Sequence, residues 1–333
     1  MWNMNPPPSW KMPKWAQPES DISVATFPET QANNNPSAPI VCPQCGASIR
    51  LLFSTTDINR RISSEIFNYF TCNDCQLIFL DPLPSDLGKY YPRDYYTFPG
   101  SRKIAGELAQ HEHYKIELVT RHLTGGSLIE IGPATGGFCF LAKEAGFHVR
   151  AIEMDARCSE FLRDVIGIEV QNSNEEVGAL NREAPADVIA LWHVIEHLRD
   201  PWSMIDAIAE KVRPGGIALI ATPNPVAFQF KVWRKWWTHV DAPRHVVLIP
   251  HDLLVKRMQE NGMELVELTT SDPGGIGWNW FGWVFGFANL TTIPWLKRPL
   301  RMVGKLVRLI VKLYEDKEGR GAAYTAIFRK VVR

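Results

Sequence analysis

The chain lacks any excess of charge: among 333 residues, Lys and Arg total 36 and Asp and Glu total 36. Such a balance argues against broad nucleic-acid binding, while leaving a local basic patch open. The N-terminus lacks a basic stretch followed by an apolar run, so no secretory signal is expected and a reducing, cytoplasmic setting is the default. Apolar residues make up 45% of the chain and charged ones 22%, which suits a sizeable core and excludes global disorder. A chain of this length is one large domain with additions or two domains.

Met1 to about Ile40 has no sustained periodicity. It is rich in Pro, Asn, Ser and Thr, carries isolated Trp2, Trp10 and Trp15, and reads as a disordered tail. Cysteine is scarce, six in all, and four of the six form two C-x-x-C pairs. Cys42 and Cys45 make one knuckle, Cys72 and Cys75 the other, with 26 residues between them. Four thiolates from two knuckles suit a closed tetrahedral structural zinc. Leu51 to Ser54 and Ile66 to Phe70 read as strands between them, giving a zinc ribbon over 41–80. A dithiol redox centre is the alternative, and two separate knuckles fit metal better. Cys139 and Cys158 fall in expected helices as small buried hydrophobes. Residues 81–124 form an irregular linker and a lid helix from Arg102 to Leu123. In the linker Tyr90, Tyr91, Tyr95 and Tyr96 either cover a cofactor or pack as an aromatic seam, with packing favoured.

Leu128 to Asp155, LIEIGPATGGFCFLAKEAGFHVRAIEMD, is the stretch around which the rest of the chain is organised. Leu128 to Ile131 reads as a buried strand, Gly132, Gly136 and Gly137 as a tight turn, and Phe138 to Ala145 as a helix stopped by Gly146. Val149 to Ile152 is a second strand, closed by Glu153. This is half of a doubly wound α/β nucleotide fold, whose ligand lies at the carboxyl ends of the strands. Read as G-x-G-x-x-G, the turn lacks its middle glycine, and Ala134 would crowd a pyrophosphate there. Glu130 would repel a pyrophosphate too, yet suits a cofactor with an ammonium, a sulfonium and no phosphate, which is S-adenosylmethionine. Glu153, 21 residues after Gly132, suits ribose hydroxyls. The plain alternative makes both carboxylates ordinary exposed strand ends.

The stretch resembles motif I of the class I S-adenosylmethionine-dependent methyltransferases, acidic-x-Gly-x-Gly-x-Gly. It matches at Glu130, Gly132 and Gly136 and departs at Ala134. DVIALWHVIEHLRDP, Asp187 to Pro201, resembles the strand-four region of the same family. The resemblance runs from about Gly125 over residues 125–333. It implies an α/β, Rossmann-like, doubly wound seven-stranded sheet whose final strand inserts antiparallel, behind the N-terminal zinc ribbon. The implied cofactor set is Glu130, Gly132, Ala134, Gly136, Gly137, Phe138, Glu153, Met154, Ser173 and Trp192. Ribbons of this kind resemble those on a subgroup of bacterial methyltransferases acting on sugars and other small metabolites.

Methyl transfer is an in-line displacement, so positioning supplies much of the acceleration. A hydroxyl or carbon acceptor must still lose a proton to a base. His193, Glu196 and His197 follow strand four, and helical spacing would put them on one face. Either His193 is the base with the other two orienting it, or the three hold a divalent cation that lowers the acceptor's pKa. A structural role for Glu196 and His197, bracing the turn, also stands. The ubiquinone-pathway O-methyltransferases resemble this segment and imply a metal, but His193 replaces their first acid. His239, Asp241, Arg244 and His245 form a second cluster: an Arg244–Asp241 brace is expected, with His245 as a further base or acceptor ligand.

Residues 273–320 depart from the family. Pro273 to Leu296 has no charge and crowds Trp278, Trp280, Phe281, Trp283, Phe285 and Phe287 together; KRPLRMVGKLVRLIVKLY then carries only positive charge. Arg301, Lys305, Arg308 and Lys312 fall on one helical face. A basic amphipathic helix beside aromatics reads as binding an anionic membrane surface, against a plain substrate cap. The expectation is therefore a cytoplasmic O-methyltransferase, peripheral at the inner face of the membrane, acting on a small-molecule, sugar or lipid-linked acceptor. C- or N-methylation of a sugar or polyketide-like acceptor, or an inactive scaffold with this fold, are the alternatives.

Overall fold

The computed structural model describes residues 41–92 and 94–332. The tail expected over 1–40, with its three tryptophans, lies outside them. β1 (Ile49–Thr55), β2 (Phe67–Cys72) and β3 (Ile78–Leu80) form an antiparallel meander between and after the two cysteine knuckles. The expected lid helix is broken by a tighter turn at Gln110–Glu112 into α1 (Arg102–Ala109) and α2 (His113–Thr120).

The chain then alternates strand and helix. β4 (Gly126–Ile131), α3 (Gly137–Glu144), β5 (Phe147–Glu153), α4 (Ala156–Phe161), β6 (Glu169–Asn172), α5 (Glu176–Arg182), β7 (Ala186–Trp192), α6 (Pro201–Lys211) and β8 (Val212–Pro223) succeed one another. After α7 (Phe228–Trp233) come β9 (Val247–Leu248), α8 (His251–Glu260), β10 (Met263–Thr269), α9 (Pro273–Asn289), α10 (Pro294–Glu315) and β11 (Ala323–Lys330). Seven strands make the main sheet, in spatial order β10-β11-β8-β7-β4-β5-β6, with β11 antiparallel between β10 and β8. The central strands of its parallel half are buried on both faces and so read as near-continuous apolar runs. In β4, Leu128 faces the α1–α3 layer while Ile129 and Ile131 face the other layer, following the two-residue period of a strand.

Helix starts follow the polar residues before them. Asp155 accepts from the N–H groups of Arg157 and Cys158, Asp200 from Ser203 ahead of the Pro201 turn, and Asp272 from Gly275. The ribbon is not a separate bead. Val247 and Leu248 of β9 pair with Phe79 and Ile78 of β3, so the small sheet extends into the loop after the fifth parallel strand. α9 and α10 form a helical hairpin beside that loop, and α10 buries Gly304, Arg308 and Glu315 rather than its apolar residues.

Candidate active site

The carboxyl ends of β4, β5, β7 and β8 lie at one edge of the sheet, with Ile131 beside Ile152 and Leu191, and Trp192 beside Ala221. The turn after β4 is left-handed at Gly136, φ +72°, where a Cβ would also strike Leu162. Ala134 adopts φ +51°, the left-handed conformation a glycine would take without strain, at a cost of about 1 kcal/mol. The Ala134 N–H donates to Glu153 Oε2 at 3.0 Å and the Asp155 N–H to Oε1 at 2.8 Å, which pins Glu153 to the turn. Glu130 is buried one strand away and accepts from the Cys139 thiol at 2.8 Å. Both carboxylates are therefore enclosed rather than exposed strand ends.

Burial pushes the Glu130 carboxyl up to about 7, against the pull of Lys115. Glu153 is likewise raised to about 7 by burial, the backbone donors opposing it. A cationic ligand would relieve both. The indole N–H of Trp192 is buried with no partner, its ring edge-on to Phe138 at 5.4 Å. Gly132 and Gly137 complete the turn. Ser173 is tied to it through its N–H to the Glu153 carbonyl at 3.1 Å, while the Met154 side chain is exposed. Two buried acids and one unsatisfied donor fit a zwitterion that also bears a sulfonium. Beside them Tyr91, Tyr95 and Tyr96 pack as a seam, with centroids 5.0 and 4.9 Å apart.

Past β7 the chain turns sharply at His193, φ +58°, and makes one tight turn over Ile195–His197. A non-glycine residue held in that region is a mark of functional sites. His193 Nδ1 approaches Glu196 Oε1 at 3.4 Å, without the geometry of a full hydrogen bond, and its Nε2 accepts the Trp278 indole N–H at 2.8 Å. Glu196 is fully buried and accepts from Thr222 Oγ1 at 2.9 Å. Burial pushes its carboxyl up, but His193, His245 and His197 outweigh this and hold it at about 2.

His197 does not join His193. Its Nδ1 donates to the Arg244 carbonyl at 2.9 Å with the Tyr91 hydroxyl 3.0 Å away, and its ring lies 4.6 Å from that of His245. His245 Nδ1 donates to the His239 carbonyl at 2.8 Å. With both Nδ1 atoms committed to carbonyls, both Nε2 atoms keep free lone pairs, the tautomer a metal requires. Glu196, His197 and His245 bring ligand atoms within 4.8 Å of one another. The cation set expected at His193, Glu196 and His197 is thus not the one assembled: His245 takes the place of His193, whose Nε2 is held by Trp278. Burial and the neighbouring His245 lower the His197 pKa to about 4.

The expected Arg244–Asp241 brace forms, at 2.8 Å, and extends further than spacing suggested. Arg244 also binds Asp57 of the ribbon at 2.8 Å, both fully buried, and the Tyr69 hydroxyl donates to the His245 carbonyl at 2.8 Å. Sequence reasoning missed Asp57, Tyr69 and Thr222, placed Tyr91 only as a cofactor cover or seam residue and gave Trp278 no part in the site, since each comes from a segment distant from its partner. In the ribbon, Cys42 and Cys75 sulfurs lie 3.6 Å apart and Cys45 and Cys72 sulfurs 3.5 Å apart. That is far beyond a disulfide of about 2.05 Å and close to the spacing of about 3.8 Å between thiolates around one tetrahedral zinc. Burial opposes ionisation of Cys72, but N–H donors from Asp74 and Cys75 outweigh it and bring the thiol to about 7.

Fold and turn together define the class. Residues 104–268, just under half of the chain, match the family described as a methyltransferase domain, and that domain is of the class I S-adenosylmethionine-dependent kind. It is 25% identical over 170 residues to a ubiquinone biosynthesis O-methyltransferase of Maricaulis maris, covering 48% of this chain and 65% of that protein. The protein of the same description from Aromatoleum aromaticum is 25% identical over 52% of this chain and 77% of its own length. The chain thus spans slightly less than two thirds of the Maricaulis protein. Among solved structures, a methyltransferase from Archaeoglobus fulgidus aligns with a TM-score of 0.46 at 15% identity, over 67% of this chain and 94% of its own.

Proposed function

We propose that the protein transfers the methyl group of S-adenosylmethionine to a hydroxyl of a small-molecule, sugar or lipid-linked acceptor. The observation that carries this reading is the pair of buried carboxylates, Glu130 and Glu153, set around one glycine turn with the unpartnered Trp192 N–H. Carboxyls whose burial is uncompensated gain most from a cationic ligand. When bound, the cofactor supplies a methyl carbon already activated by sulfonium.

The chain's own residues then hold the acceptor and take its proton. His193 is the base, its tautomer set by the Trp278 indole N–H donated to Nε2, with Glu196 beside Nδ1. Glu196, His197 and His245 would hold a divalent cation, which lowers the pKa of a bound hydroxyl. The names of the ubiquinone-pathway relatives support O-methylation over methylation at carbon or nitrogen. Cys42, Cys45, Cys72 and Cys75 would hold a structural zinc that staples β1–β3 beside the His245 loop. The reading extends to a peripheral position at the inner, anionic face of a membrane. Among the described residues, no helix is long and apolar enough to cross one.

Calorimetric titration with S-adenosylmethionine tests the reading. Wild type binds, and a Glu130→Gln/Glu153→Gln double variant loses most of that affinity. A folded wild type that shows no heat with the cofactor would leave only a scaffold with this fold.

A further inference from the structure

α10 turns part of its polar side inward. At Gly304 a Cβ would meet the Trp283 carbonyl oxygen at 2.6 Å and Val284 Cα at 2.7 Å, so the two helices of the hairpin touch at their backbones. Flanking that contact, the Arg301 guanidinium lies 5.0 Å over the Phe285 ring, and Arg308, 6% exposed, reaches Glu315 at 3.4 Å and Asp316 at 2.5 Å. The sequence expectation of one outward basic face bearing Arg301, Lys305, Arg308 and Lys312 is thereby corrected, because the two arginines are spent on internal partners.

What faces outward is apolar. Trp295, Leu306, Ile310 and Leu313 are 73, 60, 79 and 84% exposed, with Met302 and Val303 between them. The helix has 22 residues, so this stripe runs for about 30 Å. Arg298, Lys305 and Lys312 recur every seven residues and so line one edge of the stripe. The only acid within α10, Glu315, is buried. A soluble surface rarely leaves such a stripe bare. A two-fold dimer through this face would bring only more apolar and basic side chains to it, leaving the edge unpaired. Anionic headgroups answer both features, since the stripe enters the acyl boundary while the lysines stay among the phosphates.

Beneath the stripe a line of rings leads inward. Phe285 stacks on Phe281 at 4.8 Å, Phe281 meets Trp278 at 5.5 Å, and Trp278 meets His193 at 5.0 Å. We propose that the hairpin docks on an anionic bilayer through the outward face of α10, and that the acceptor is an amphiphile drawn from that bilayer, its apolar part lying along these rings with its hydroxyl at His193. The acceptor half rests on the methyltransferase reading above; the docking half does not.

Flotation with vesicles of phosphatidylglycerol and phosphatidylcholine tests the docking. Wild type floats with them and stays behind with pure phosphatidylcholine. Leu306→Glu/Ile310→Glu/Leu313→Glu, all at exposed positions, stays behind with both while binding S-adenosylmethionine as wild type does. Wild type that fails to float, or a triple variant that floats equally, overturns the docking; so does a wild-type dimer in sedimentation that the triple variant abolishes without any flotation. Flotation without cofactor binding would instead remove the methyltransferase reading and leave the docking intact. For the acceptor route, a long-chain alcohol bearing a diazirine is dissolved in the vesicles and photolysed. Label on the peptide holding Trp278 and Phe281 is expected, and label confined to α10 overturns the route.

Discussion

Trp278 donates its indole N–H to Nε2 of His193 at 2.8 Å, although the two lie 85 positions apart in sequence. An indole only donates, so His193 accepts at Nε2 and carries its own proton on Nδ1, towards Glu196. The lone pair that a base would use is held by α9, and any acceptor must displace that indole to reach it. Trp278→Phe keeps the ring and removes the donor. Acylation of His193 by diethylpyrocarbonate, followed by mass spectrometry, is expected to quicken several-fold in that variant; equal rates would mean the contact does not shield the nitrogen.

Replacing His193 by Ala should separate binding from chemistry. Turnover is expected to fall by about 10²-fold or more, the usual contribution of a positioned base, while cofactor affinity stays close to that of wild type. Turnover measured with labelled cofactor and an extract as acceptor source checks this. A rate unchanged in the variant would remove His193 as the base.

Cofactor binding should depend on pH. Glu130 and Glu153 are each raised from 4.5 to about 7 in the folded chain. The fold therefore holds those protons more tightly than the unfolded chain does, and ionising them lowers stability as pH rises from about 4.5 through about 7. A cationic cofactor favours the ionised pair, so its affinity moves the other way. It is expected to climb between pH 6 and pH 8, by up to about tenfold per unit for each carboxyl below its pKa. Dissociation constants across that range, compared with Glu153→Gln, give the measurement. A flat wild-type profile would contradict it.

The ribbon's hold on the His245 loop should show as stability. Arg244 is fully buried between Asp57 and Asp241. Asp57→Ala removes one of its two carboxylates and leaves excess buried charge, at a cost of about 3 kcal/mol. Asp57→Asn retains an accepting oxygen and is expected to cost less. Urea denaturation ranks the two, and equal midpoints for wild type and Asp57→Ala would show the pair to be dispensable.

Loss of the metal proposed for the four cysteines should be felt beyond the ribbon. β3 pairs with β9, two residues after His245. A strong chelator, or Cys45→Ser, is expected to lower the melting temperature and open residues 238–248 to proteolysis. Cleavage restricted to the knuckles would place the metal's influence there alone.

Much of the main sheet was legible because its determinants are local. The apolar run of β4, the glycine turn, the Asp155 and Asp200 caps and the chain order of the strands each depend on neighbours in sequence. The places of Glu130 and Glu153 at the ends of β4 and β5 were legible for the same reason, since a strand delivers its closing residues to the sheet edge wherever the sheet lies. Of His193, Glu196 and His197, the first two stay side by side, as one of the sequence readings had it, while the third does not join them. Their spacing suggested one helical face, whereas a left-handed residue and a single tight turn send His197 away to His245.

The sequence by itself determined the sheet, the cofactor turn and the two cysteine knuckles, because periodicity, turn chemistry and ligand spacing act over a few residues. Only the tertiary structure decided which histidines meet, that Asp57 of the ribbon neutralises Arg244, and which side of α10 faces out. Those outcomes depend on partners up to 187 positions apart, and burial selects among them. In α10 the backbone contact at Gly304 and the acids beside Arg308 drew two of its arginines inward and left the apolar side, edged by lysines, to whatever covers it.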